Sequence, residues 1–464
     1  MYQNTINKRL LIILLTGIFL LQLSCSDKSP TSPSLNKYEN TITLAKEKVQ
    51  ETRGLSFIRP VYTGIITRKQ YSDMNNQWSS GNTSLIMKEF KQIGFIPDTF
   101  TNKNFISENN DNFAAAFYIP GTDSLYIIDA DQVSQGDLFV YTVHELTHAL
   151  QEQHFNPFTS NVFPAQTQST LNSDFYITQR CISEGDASIT MLLAYYNLKS
   201  KDSALIYTES YFKNEYDNFF SELSSDPIPR YLSIQGNAPY TIGPWFILDK
   251  YKKGSWPEVN SLYHSNRVNS TADLINDTST IPFTFDFSRI IPLLLNKTTK
   301  LISADDDTYG PLMLMSLLNE QVDNAHCKKA LGWQGDRLAY TLSDNQTNGS
   351  FVWAMKFVSE NDAQYITGLL DQFLSSRKLS GIAATRAGIT DSLTFSSSNT
   401  STLLKRNATT VLWIENVNET DSVLTLLSQP VLTKRSAEEK NYSTISFNDK
   451  KKFIDRLFGD HRIR

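Results

Sequence analysis

Val143-His144-Glu145-Leu146-Thr147-His148-Ala149-Leu150 sets two histidines four residues apart, with a glutamate directly after the first. In an α-helix each residue advances by about 100°, so the two imidazoles stand about 40° apart on one face and reach a single metal ion. Glu145 lies on the adjoining turn, placed to take a proton from a metal-bound water. Phe139, Val143, Leu146 and Leu150 cluster on the opposite side. The spacing therefore predicts a helix over Leu138 to His154, with an apolar back against a core and a ligand face turned toward a cleft.

Two histidines do not complete such a site, because a catalytic zinc keeps three protein ligands and leaves the fourth position to water. The best third donor is Glu184 in Ser183-Glu184-Gly185-Asp186-Ala187, within a second helical stretch from Asp174 to Tyr196. Other residues nearby read differently. His154 falls about 100° from the midline of the ligand pair and suits packing or capping. Cys181 reads as a small buried hydrophobe. Asp186 either orients a neighbour through its carboxylate or serves a helix turn or surface salt bridge. His264, His326 and His461 have no ligand partner at useful spacing.

Outward from the motif, the composition is that of a folded globular chain: 464 residues, 40% hydrophobic and 20% charged. Lys+Arg 43 against Asp+Glu 48 gives a net charge of -5 without a dominant basic block, which argues against nucleic acid as a partner. Three cysteines are too few for a disulfide scaffold. Lys8 and Arg9 precede the apolar run Leu10 to Leu23, which is short for a bilayer span and suits a signal segment over 1–24. It ends at Leu21-Gln22-Leu23-Ser24-Cys25, which looks like a bacterial lipoprotein signal, so the expectation is a chain held at the envelope membrane through a lipidated Cys25. Cys181 and Cys327 are then the only pair left for a disulfide.

Residues 25–40 read as a flexible tether rich in Ser, Pro, Asn and Lys. From 41 to 303 the pattern is mainly helical, with candidate helices at Thr41 to Thr52, Thr83 to Gly94, Ser203 to Leu223, Gly243 to Tyr251 and Trp256 to His264 besides the two above. Ile119-Pro120-Gly121-Thr122-Asp123 punctuates a β-hairpin between Phe113 to Tyr118 and Ser124 to Ile128. A smaller domain over 304–430 alternates strands, at Asp336 to Leu342 and Ser350 to Phe357, with helices near Pro311 to Asn319 and at Glu360 to Ser375, then short strands; Trp333, Asp336 and Arg337 suit a structural role there. A charged tail fills 431–464. The expected class is α+β, a mainly helical domain with a small hairpin or sheet followed by the smaller α+β domain.

HExxH followed by a glutamate on a later helix resembles the gluzincin metallopeptidases, the thermolysin and aminopeptidase group, and the Glu-Gly-x-Ala setting is similar to the aminopeptidase branch. Arg53-Gly54-Leu55, Ile93 to Pro97, HELTHALQEQHF from His144 to Phe155, EGDA from Glu184 to Ala187, Pro239-Tyr240-Thr241-Ile242-Gly243 and Gly332 to Arg337 together resemble an uncharacterised bacterial lipoprotein family of metallopeptidase type, in scattered blocks over roughly residues 45 to 430. The resemblance implies a zincin-like fold, Zn²⁺ held by His144, His148 and Glu184, Glu145 as general base, and hydrolysis of a peptide or protein substrate. It also implies an oxyanion-stabilising tyrosine some tens of residues past the third ligand; Tyr240 is the candidate, with a core tyrosine as the alternative. Thermolysin-like enzymes carry an aspartate four residues after the third ligand to orient a histidine, whereas this chain has Ser188 there. The outer partner of the histidines is thus open. The rival readings are a non-catalytic envelope lipoprotein with structural or vestigial zinc, against which the intact Glu145 argues, and hydrolysis of a non-peptide amide.

Overall fold

Ser134 accepts a hydrogen bond from the Asp137 N–H and so caps the histidine-bearing helix, which runs from Gln135 to Phe155 and stops where Asn156 turns left-handed at φ 54°. The structure, a computed structural model, describes residues 38–427 apart from 78–82, 101–114, 130–132, 158–171, 223–228, 265–267, 288, 295–300, 319–321, 344–347, 380–381, 384, 390, 397–399 and 419. The expected signal 1–24 with Cys25, nearly all of the tether 25–40, residues 113–114 of the hairpin and the tail 431–464 lie outside the described residues.

The principal elements of the first half are α1 (Glu39–Arg53), β1 (Tyr62–Thr67), α2 (Arg68–Gln77), α3 (Thr83–Ile93), β2 (Ala116–Ile119), β3 (Ser124–Asp129), α4 (Gln135–Phe155), α5 (Ser173–Asn197), α6 (Ala204–Glu222), α7 (Arg230–Ser261) and α8 (Thr271–Asn276). The second half holds β4 (Leu301–Asp307), α9 (Gly310–Leu318), β5 (Trp333–Ser343), β6 (Ser350–Phe357), α10 (Glu360–Ser376), β7 (Thr385–Ile389), β8 (Ser392–Ser396), β9 (Ser401–Asn407), β10 (Thr410–Glu415) and α11 (Thr420–Leu427). The class is mixed α+β, as the sequence indicates.

The hairpin forms, with β2 antiparallel to β3 and Tyr118 opposite Leu125. β1, which the sequence reading did not anticipate, joins β3 in parallel to give the order β1-β3-β2. The larger sheet has the order β4-β5-β6-β10-β9-β8-β7 and is antiparallel throughout. Its β4 takes in the acidic run Asp305 to Asp307, so the expected boundary at 303/304 falls inside a strand.

The expected helices at Gly243 to Tyr251 and Trp256 to His264 fall along α7, which starts earlier, at Arg230, runs through Pro239 and Pro244, breaks between the two at Gly254–Ser255, where Ser255 has φ 56°, and ends at Ser261. An interior proline costs a helix about 3 kcal/mol. Burial of Leu232, Ile234, Ile242 and Ile247 along α7 offsets that cost.

Two glycines set how closely α5 and α7 cross. A Cβ on Gly185 would stand 2.5 Å from the Gly243 carbonyl carbon, and one on Gly243 would stand 2.3 Å from the Cys181 oxygen. Backbone meets backbone there, which brings Glu184 of α5 beside Tyr240 of α7.

A single cluster of buried apolar residues runs from Val49 of α1 through Val143, Ile182, Ile247 and Leu312 to Trp353 and Trp413 of the large sheet. The opposite face of that sheet, with Ala339, Val352, Ala354, Leu412 and Ile414, is covered by Phe287, Ile290 and Val423. Polar contacts join the halves too. The Ser173 N–H and hydroxyl donate to Asp307, and the Asp174 N–H to the Thr308 carbonyl, which fixes the start of α5 on the β4–α9 connection.

Candidate metal centre

α4 and α5 face each other so that Glu184 Oε2 stands 3.0 Å from His144 Nε2 and 3.3 Å from His148 Nε2. The two rings are 4.8 Å apart, nearly perpendicular. One ligand atom each from His144, Glu145 and His148 falls within a 4.8 Å group, a buried cluster that could hold a metal ion. Ligands bound at about 2.0–2.1 Å to a tetrahedral ion stand about 3.3 Å from one another, so the separations from Glu184 to the two histidines fit a shared ion. The apolar residues expected on the back of α4, Phe139, Val143, Leu146 and Leu150, are all buried. The ligand face, however, does not open to a cleft: His144, Glu145, His148 and Glu184 are each 1% exposed or less.

The charges follow from that burial. Burial pushes the His144 imidazole down to about 4. Burial acts the same way on His148, but the Glu184 carboxylate, with Glu145 and Gln151, outweighs it and raises this group. Burial alone would raise Glu184, yet His148 and His144 hold it down, at about 2. The pocket thus favours one positive charge beside Glu184.

Glu145 is held by the hairpin. In the antiparallel pair β2–β3 the Ile128 N–H bonds the Ala115 carbonyl, so with Tyr118 opposite Leu125 the alternation turns the Tyr118 N–H outward. That N–H donates to Glu145 Oε2 at 2.7 Å. Two turns further along α4, Glu152 accepts from the Tyr118 hydroxyl at 2.5 Å and from the Gly121 N–H at 2.6 Å. Two glutamates of α4 therefore clamp β2.

Tyr240 is brought to the site. It is buried, its ring lies 6.3 Å from that of His144, and its hydroxyl donates to Glu184. Burial, with Glu184 beside it, raises that hydroxyl well above its usual range. Arg180, which the sequence reading passed over, sits on α5 one turn before Glu184; its Nη1 donates to the Gln235 carbonyl at 3.3 Å and its charge acts on Tyr240.

The remaining candidates go elsewhere. His154 Nε2 meets the Ser56 carbonyl at 2.8 Å, a contact between the end of α4 and the chain after α1. Cys181 and Cys327 are both buried and free, and so unpaired with each other. His264 packs edge-on against Phe155, His326 stacks on Tyr365 beside Asp323, and His461 lies outside the described residues. Asp186 is no surface residue: it is fully buried in a two-pronged pair with Arg53. Asp336 takes the Trp333 and Trp353 indole N–H groups and the Tyr309 and Gly310 N–H groups, while Arg337 pairs with Asp306.

A family model described as Domain of unknown function (DUF8575) matches residues 298–425, the segment from β4 through β10 and into α11. It leaves α4 and α5 outside the match. No curated protein and no solved structure matches the chain.

Proposed function

We propose that this chain is a zinc-dependent peptide hydrolase of gluzincin type, with a zincin-like arrangement of α4, α5 and the small sheet. The observation that carries this reading is the convergence of His144 Nε2 and His148 Nε2 on one oxygen of Glu184, with Glu145 beside them. Two imidazoles and a carboxylate are a donor set suited to zinc. Zinc bound there supplies Lewis acidity, which acidifies a water and polarises the substrate carbonyl.

The chain's own groups do the rest. Glu145 takes the water proton on its carboxylate and passes it to the leaving nitrogen. The Tyr118 N–H, by donating to Glu145 Oε2, orients that carboxylate. The Tyr240 hydroxyl, which donates to Glu184 in this structure, would serve as the donor to the developing oxyanion. In this reading Cys25 is lipidated and holds the enzyme at the bacterial envelope; among the described residues no helix is long and apolar enough to cross a membrane.

A structural metal site in a non-catalytic lipoprotein is the second reading, favoured by the near-complete burial of all four residues. Metal analysis and a peptide-library cleavage assay, run side by side on wild type and Glu145→Gln, separate the two. The proposal expects about one zinc per chain in both proteins, and a 10²- to 10⁴-fold loss of cleavage in the variant. Zinc in both with no cleavage in either would favour the structural site, and zinc in neither overturns both. Cys25→Ser should release the protein from membranes.

A further inference from the structure

We propose that Gln151 and Asp186 are the outer support of the metal centre: Gln151 fixes the tautomer and direction of His148, and Asp186 fixes Gln151. The inference rests on the reading of the site as a metal centre. It fills the place left open by Ser188.

Gln151 lies three residues beyond His148, on the same face of α4. Its Oε1 is 2.9 Å from His148 Nδ1. Its Nε2 is 2.9 Å from the Ser183 carbonyl and 3.1 Å from Asp186 Oδ2. Both of those partners accept hydrogen bonds and the amide nitrogen only donates, so turning the amide over would set oxygen against oxygen twice. With the amide direction fixed, its oxygen requires a hydrogen on His148 Nδ1. Nε2 is then the atom left to bind an ion, and it is the atom that faces Glu184.

Asp186 is held in turn from two other parts of the chain. Arg53 at the end of α1 reaches Oδ1 through Nε at 2.9 Å and Oδ2 through Nη2 at 3.1 Å. The Tyr263 hydroxyl, just past α7, donates to Oδ2 at 2.8 Å. Arg53 itself lies 4.3 Å from the Trp256 ring, and its Nη2 also reaches Asn260 Oδ1 at 2.6 Å. Orientation therefore passes from α1 and α7 through a buried carboxylate and an amide to one metal ligand. His144 has no such support: among the described residues its Nδ1 finds no hydrogen-bond partner. Outer partners of metal-bound histidines fix tautomer and ring direction, and removing one weakens metal binding by about 10- to 100-fold.

The test uses the full chain loaded with zinc, or with cobalt as a spectroscopic stand-in. Gln151→Met keeps the side chain's length and removes the acceptor. Gln153→Met is the control, because that amide is also buried in α4 but holds residues 58 and 59 and Asp123 rather than His148. Competition with a chelator should show zinc bound about 10- to 100-fold more weakly in Gln151→Met, with an altered cobalt absorption spectrum, and unchanged in Gln153→Met. Wild-type affinity and spectrum in Gln151→Met overturn this proposal and leave the metal centre standing. Absence of bound metal in wild type overturns the metal centre itself. Nitrogen NMR of zinc-loaded wild type with labelled histidines needs no variant: the proposal requires one imidazole with a protected Nδ1–H and a metal-bound Nε2, and an Nδ1-bound His148 overturns it even if Gln151→Met does not fold.

Discussion

Glu184 on α5 and Asp336 on β5 are both buried carboxylates, one in the helical half and one in the sheet half, and their environments drive them in opposite directions. Burial pushes Asp336 up to about 6, in spite of four donors, because two backbone N–H groups and two indole N–H groups carry no net charge. Glu184 is held down at about 2 because its partners are imidazoles that accept a proton. The sheet half likewise answers Glu415 with both Nη atoms of Arg377, at 2.9 Å each, and with Gln92. Burial of charge is common to the two regions and marks neither as functional. What distinguishes the helical one is that its partners are imidazole nitrogens able to bind a metal ion, directed at one point.

Removing each carboxylate should break this comparison most sharply. Asp336→Ala leaves four buried donors without their acceptor and should lower stability by roughly 3–5 kcal/mol, with zinc affinity of the folded fraction unchanged. Glu184→Ala should also lower the stability of the metal-free protein, by about 1–3 kcal/mol, because the Tyr240 hydroxyl and the histidines lose their buried partner, but unlike Asp336→Ala it should weaken zinc by about 10²-fold or more. Urea unfolding and chelator competition on both variants check this. Equal zinc loss in the two would mean that the halves are not chemically separate.

The pH dependence sharpens the contrast in sign. Because Asp336 has a folded pKa above its unfolded value, the native state holds the proton more tightly, and ionising the group costs stability. Its contribution is most favourable below about pH 4, declines as pH rises toward 6 and is level above that. The stability deficit of Asp336→Asn relative to wild type should therefore shrink between pH 4 and pH 7, by up to about 3 kcal/mol. A deficit that grows with pH over this range would show that the carboxylate is the favoured form, as it is at Glu184.

Tyr240→Phe tests a smaller effect within the helical half. Deletion of an oxyanion donor should lower kcat by about 10²-fold with the thermal midpoint nearly unmoved. A tyrosine that serves only the core would instead give about 1 kcal/mol of destabilisation and near-normal turnover. The smallest effect belongs to the surface: Arg59→Ala removes an exposed pair with Asp123 and should change stability by less than about 1 kcal/mol.

Local pattern made part of the molecule legible. The His144–His148 spacing, the Pro-Gly turn of the hairpin and the helical run Glu360 to Ser375 are short-range signals, and the elements they announce are present. The sequence reading starts this helix at Gly243, whereas α7 begins at Arg230 and carries Pro239 inside it: proline opposes a helix locally, and the gain that overrides it comes from packing against α5. β1 gives no local sign of its parallel partner β3, which is remote in sequence. Asp186 was ambiguous for the same reason: its partner Arg53 lies 133 residues away.

The sequence by itself determined that two imidazoles share a helical face with a carboxylate beside them, because a helix fixes the relation of residues three and four apart. It also determined the alternation that makes a hairpin. Only the tertiary structure decided that Glu184 Oε2 lies within reach of both histidines, that Tyr240 stands beside it, and that Gln151 is locked to Asp186 and Arg53. Those relations depend on how closely α5 and α7 cross at Gly185 and Gly243, and on α1 closing over them. Such distances are set by the packing of many side chains at once, and no short stretch of sequence carries them.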